Sequence, residues 1–129
     1  MNTCILLFML TCPGVPASAK LLTSAQAVAS FTDTWSTQRL FDQSKRAGIP
    51  VREANPLARP FQSHGKAVAY ASTAAGVWGT AWLADRMRRS DNHFLNRAWW
   101  VPQTVLSVFS GYGVDLNLAV HRSRNHAQR

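Results

Sequence analysis

Apolar and weakly polar residues fall into four runs along this chain, set apart by basic residues. Residues 1–19 hold no charged side chain, and residues 21–38 hold one, Asp33. Residues 67–84 and 98–114 hold none. Arg39, Lys45, Arg46, Arg52, Arg59 and Lys66 form one basic block; Arg86, Arg88, Arg89 and Arg97 form a second; Arg122, Arg124 and Arg129 form a third. Weakly polar segments of spanning length bounded by basic clusters are the pattern of membrane helices.

Helical periodicity predicts three elements. The first runs over 23–45, where Leu21, Ala25, Val28 and Trp35 keep a helical spacing with Phe31 on the shoulder. Gly48 and Pro50 end it. Pro50, Pro56 and Pro60 make 48–60 an irregular loop. The second helix runs over 62–89, with Ser63 as a cap. Ser90, Asp91 and Asn92 supply a turn and a fresh N-cap. The third helix runs over 93–121, kinked at Pro102 and loosened by Gly111 and Gly113. No strand-like alternation of useful length occurs. The expected fold class is all-α: a small bundle of three membrane-associated helices after an N-terminal signal peptide.

The leader reading rests on order. Ile5 to Leu10, with Cys4 and Cys12, form an apolar core; Pro13, Gly14 and Pro16 break it; Ala17-Ser18-Ala19 is a small-x-small triplet ahead of Lys20. No Lys or Arg precedes the core. The expected division is a signal peptide over 1–19, a three-helix membrane domain over 20–121 and a basic tail over 122–129. Cleavage after Ala19 removes both cysteines, which excludes a disulfide framework and a thiolate metal site.

Charge narrows the partners. Fourteen Lys and Arg against six Asp and Glu give a formal net charge of +8. That balance suits anionic lipid head groups or nucleic acid; an export signal points away from nucleic acid. With Lys20 outside, the 39–66 block and the tail lie inside. They carry nine Lys and Arg against five outside, in the sense of the positive-inside rule.

Small residues add to the membrane pattern. Ser72, Gly76, Thr80 and Ala84 repeat every four residues, as do Ala67, Ala71, Ala75 and Gly79. Such stripes give a smooth face for close approach of a second helix. Trp99 and Trp100 sit beside Arg97, as interfacial anchors do. The same composition also describes an Ala-rich helical hairpin packed around Trp78 and Trp82 in water.

Few residues suggest chemistry. Asp33 lies in helix one, on a polar stretch with Thr34, Ser36 and Thr37. Inside a membrane an ionisable group needs a partner; on a water-facing helix it is an ordinary carboxylate. Glu53 and Asn55 lie in a proline-limited segment, where Asn55 and Pro56 also suit a helix start. Lys66 opens helix two within reach of either Asp33 or Glu53, or snorkels at its boundary. His64 and His93 lie at opposite ends of helix two. No HExxH, phosphate loop or paired metal spacing exists, so no cofactor, no metal and no catalytic residue is expected.

Asp33-Thr34-Trp35-Ser36-Thr37, a basic turn, Glu53-Ala54-Asn55-Pro56-Leu57, and a lysine opening a small-residue helix resemble a family of small bacterial multi-helix membrane domains. Its pattern is an Asp-x-x-Ser/Thr-Thr helix followed by a Glu-x-Asn-Pro loop, and the resemblance covers about residues 21–120. The family carries no assigned activity. The resemblance implies a polar core of Asp33, Thr37, Glu53, Asn55, Pro56 and Lys66. The expected protein is a non-enzymatic multi-pass protein of the bacterial cytoplasmic membrane. It works through helix packing against a second copy or a membrane-protein partner, with Ser72, Gly76, Thr80 and Ala84 as the contact. The alternative is an exported, periplasmic basic helical protein that binds anionic membrane surfaces peripherally.

Overall fold

The computed structural model describes residues 14–48 and 59–127. These form three long helices and two single-turn ones, with no strand among the described residues. The all-α expectation holds.

Helix α1 spans Ala17–Ala47. It starts earlier than its apolar spacing suggests, because nothing between Pro16 and Gly48 opposes a helix: no Pro or Gly intervenes. Ala17-Ser18-Ala19 therefore lies in its first turn. Gly48 ends it in the left-handed region at φ 66°, with its N–H directed to the carbonyls of Lys45 and Ser44. Glycine takes that conformation without steric cost. Lys45 and Arg46 in the last turn suit the negative end of the dipole.

A single turn, α2 (Arg59–Gln62), precedes Gly65, which at φ 105° admits only glycine comfortably. Helix α3 spans Lys66–Arg88. The turn after it is closed as its sequence suggests. Asn92 Oδ1 accepts from the N–H of Phe94 at 3.0 Å and of Leu95 at 3.3 Å, starting α4 (His93–Arg97). The long third helix expected over 93–121 is two helices. The chain breaks at residues 98–100, and α5 spans Val101–Ala127, through the boundary expected at 121. Pro102 is the reason. It sits in the first turn of α5, where its missing N–H has no helical acceptor to lose, so it begins a helix rather than kinking one.

α1 packs most extensively on α5, then on α3, while α3 and α5 touch less. The burial is inverted. Apolar side chains buried among the described residues are Ala27, Leu40, Ala69, Val77, Ala81 and Ala84, four of them alanines. The buried polar set is longer, and the largest fully buried side chains include Gln26 and Gln103, each 1% exposed. Val108, Phe109 and Tyr112, by contrast, are 66%, 65% and 62% exposed. The three segments read as being of spanning length are not individually membrane-like: among the described residues, no helix is long and apolar enough to cross a membrane.

Candidate functional site

Polar side chains at steps of seven along α1 meet polar side chains at steps of seven along α5. Gln103 Nε2 donates to Thr23 Oγ1 at 2.7 Å, and Ser30 Oγ lies 3.2 Å from Ser110 Oγ. Asn117 Nδ2 donates to Thr37 Oγ1 and to Ser36 Oγ, each at 2.9 Å. The partners Thr23/Gln103, Ser30/Ser110 and Thr37/Asn117 are each 80 residues apart. A constant offset means that the two helices run parallel and in one register. A seven-residue step keeps one seam facing the partner, as in a coiled coil, but here the layers are polar instead of apolar.

α3 runs antiparallel and closes the seam from the other side. Gln26 Nε2 donates to Thr80 Oγ1 at 2.6 Å, and Thr34 Oγ1 lies 2.5 Å from Thr73 Oγ1. Thr73 gives its hydroxyl hydrogen to the Ala69 carbonyl, so Thr34 is the donor in that pair. At the far end Gln38 Nε2 donates to the carbonyl of Gln62 at 2.9 Å and to its Oε1 at 3.0 Å. The hydrogen bonds thus run from Thr23 to Gln38 along α1.

Asp33 occupies the middle of the seam, half-buried. It lies against the backbone of α5 at Gly113. A β-carbon at 113 would fall 2.5 Å from Asp33 Oδ1 and 2.9 Å from Cγ. A β-carbon there would make the Asp33 carboxylate shift, so glycine serves close approach at 113 and not dihedral freedom.

The residues singled out from sequence divide. Asp33 and Thr37 lie in the seam. Thr37 bonds to Asn117 on α5, a partner that local reasoning did not supply. Lys66 does not join them. Its Nζ pairs with Asp42 Oδ2 at 2.6 Å, with both side chains exposed. The reason is distance: Asp33 lies nine residues before Asp42, about 14 Å along α1. The hydrogen bond from Lys66 holds the Asp42 carboxyl below its usual value. Glu53, Asn55 and Pro56 lie outside the described residues.

The packing stripe is also partly corrected. Ala84 is buried, and Thr80 accepts from Gln26. Ser72 turns back to the Ala69 carbonyl of its own helix, at 2.8 Å. Gly76 is exposed, and a β-carbon there would meet nothing within 4 Å. Within the chain, α3 packs through Ala69, Thr73, Val77, Thr80, Ala81 and Ala84 instead. A step alternating between three and four residues follows one side of a helix, whereas a strict four-residue step drifts around it. Gln26, Gln38, Gln62, Gln103 and Asn117 carry most of the seam and were missed. The signal for part of it is present: Thr23, Ser30, Thr37 and Ser44 are polar at every seventh position, as are Gln103, Ser110 and Asn117.

The ends of the bundle are charged. Asp85 pairs with Arg88 and Arg89, each at 2.8 Å. Burial raises its carboxyl pKa, but the two arginine hydrogen bonds outweigh this and the net shift is downward. Arg86 lies over Trp82, 6.0 Å from the ring centroid, and at the opposite end Arg39 lies 5.3 Å over Trp35. Among the described residues no group of three His, Cys, Asp or Glu side chains gathers as a metal site. The seam's hydroxyls and amides hold the helices together; they offer no nucleophile with an adjacent base. Comparison with family models, curated proteins and solved structures returns no match, so function is read from this geometry alone.

Proposed function

We propose that this chain is a small helical membrane protein that acts through helix packing and partner interaction, not catalysis. Its apolar exterior faces lipid and its polar seam faces inward. One observation carries the reading: glutamines are the best-buried large side chains, while phenylalanine, valine, leucine and tryptophan cover the outside. In water, such a bundle has little apolar area to bury, and burial of apolar area is the dominant folding term there. In lipid the balance changes. Apolar exteriors are solvated by acyl chains, and interhelical hydrogen bonds supply association, at about 0.6 kcal/mol each.

The low hydropathy of each helix follows from the same arrangement. A helix that gives one face to a polar seam averages below the level of a lone spanning segment, although its outer face is apolar. The uncharged run 67–84 would extend about 27 Å as a helix, close to the ~30 Å of a hydrocarbon core. Trp35 with Arg39, and Trp82 with Arg86, sit toward its two borders, where aromatic and basic residues favour head groups. The basic ends suit anionic lipid, and the greater positive charge around the α1–α3 connection favours a cytoplasmic position for it, in the bacterial inner membrane. The open face of α3 at Gly76 and Gly79 is where a second copy or another membrane helix would approach.

Carbonate washing of membranes from expressing cells tests the reading. Retention in the pellet, with release by detergent, is expected. Release by carbonate would replace it with peripheral binding of a basic exported protein to anionic surfaces. The +8 charge supports that second reading.

A further inference from the structure

A cavity of about 20 Å³ lies where α1, α3 and α5 meet at the Lys20 end, lined in part by Ala19, Thr23, Ala84, Arg88, Trp99 and Gln103. Two buried polar atoms on residues that line it have no hydrogen-bond partner among the described residues: Arg88 Nε, a donor, and Gln103 Oε1, an acceptor. We propose that this cavity is a binding site for one water molecule, which accepts from Arg88 Nε–H and donates to Gln103 Oε1, tying α3 to α5 at the end of the polar seam.

The amide orientation follows from the neighbours. Thr23 gives its hydroxyl hydrogen to the Ala19 carbonyl at 2.8 Å, so toward Gln103 it can only accept. Gln103 must therefore present Nε2 to Thr23, which leaves Oε1 as the unpaired atom. Arg88 is fixed as well, because its Nη2 donates to Asp85 Oδ1 at 2.8 Å. Neither side chain turns away without breaking an existing bond.

The chemistry selects the occupant. An anion would satisfy Arg88 Nε–H but meet the Gln103 carbonyl oxygen with like charge. A metal cation would do the reverse. A molecule that both donates and accepts serves both atoms, and the volume is about that needed for a single water. The assignment does not depend on whether the bundle sits in lipid.

A crystal structure of the full chain in detergent, at a resolution that orders solvent, is the direct test. One water within hydrogen-bond distance of both atoms is expected. A direct Arg88–Gln103 bond, an empty cavity or an ion there would overturn the assignment. A thermal cycle with Arg88→Lys and Gln103→Met gives a second reading. Lysine keeps the charge toward Asp85 but removes the Nε–H; methionine removes the acceptor at similar length. If one water serves both atoms, either change strands the other. The melting shift of the double variant should then be clearly smaller than the sum of the two single shifts. Additive shifts would show that the two atoms do not share an occupant.

Discussion

Among the described glycines, Gly113 is the one where an added β-carbon would meet a neighbouring side chain. A β-carbon there enters the Asp33 carboxylate at 2.5 Å, whereas Gly76, the glycine that stands out in the repeat, faces open space. Gly113→Ala should lower stability by about 1–3 kcal/mol through overpacking. Gly76→Ala should be neutral or stabilise by about 0.5–1 kcal/mol through helix propensity. Thermal unfolding of both variants in detergent checks this. Equal behaviour of the two would place Asp33 away from α5. Asp33→Ala in the Gly113→Ala background should recover part of the loss, because the colliding group is gone. A second residue, Asn117, donates to both Ser36 and Thr37. Asn117→Leu removes both bonds and should cost about 1–3 kcal/mol, more than Thr37→Val, which removes one.

At the level of elements, register is the property to test. The 80-residue offset predicts that Ser30→Cys with Ser110→Cys, in a chain whose Cys4 and Cys12 are replaced by serine, forms a disulfide under mild oxidation. The mismatched pair Ser30→Cys with Asn117→Cys, displaced by one heptad, should stay reduced. Gel mobility after oxidation separates the outcomes, and efficient closure of the mismatched pair would mean that α1 and α5 slide. The C-terminal end of α3 carries a pH dependence. Asp85 has its carboxyl pKa depressed below the usual 3.8, so its contribution is present above that value and is lost as pH falls through the lower folded value. Acid unfolding of the Asp85→Asn variant should therefore show a shallower fall below pH 3.8 than the parent chain; an identical acid limb would remove Asp85 from the linkage.

For the whole molecule, the leader and the inverted burial make separate predictions. Cleavage after Ala19 would remove the first turn of α1, including the carbonyl that accepts from Thr23 and part of the cavity lining, and leave each cross-helix seam bond from Thr23 onward. N-terminal sequencing of the membrane fraction should read Lys20. An N-terminus at Met1 would instead identify residues 1–19 as a retained anchor. The apolar exterior predicts that bromine-labelled acyl chains quench tryptophan fluorescence after reconstitution, since Trp78 and Trp82 are about half exposed on α3. Quenching by aqueous iodide alone would argue for a water-facing bundle.

The amino-acid sequence by itself determined the all-helical class, the three long helical stretches and some of their ends. Gly48 stops α1, Asn92 caps α4 and the uncharged runs mark the long helices, because capping, breaking and periodicity act within a few residues of chain. It also held the heptad spacing of Thr23, Ser30 and Thr37, although nothing in α1 alone says what those hydroxyls meet. Only the tertiary structure decided the rest. It paired Thr37 with Asn117, gave Lys66 to Asp42 rather than Asp33, made Gly113 and not Gly76 the close approach, and turned Pro102 from a kink into a helix start. The pairings depend on axial register between helices up to 80 residues apart, where one turn of displacement is about 5.4 Å and exceeds the reach of a hydrogen bond. Local spacing places a residue on a helix; which neighbour it meets is set by how the helices lie against one another.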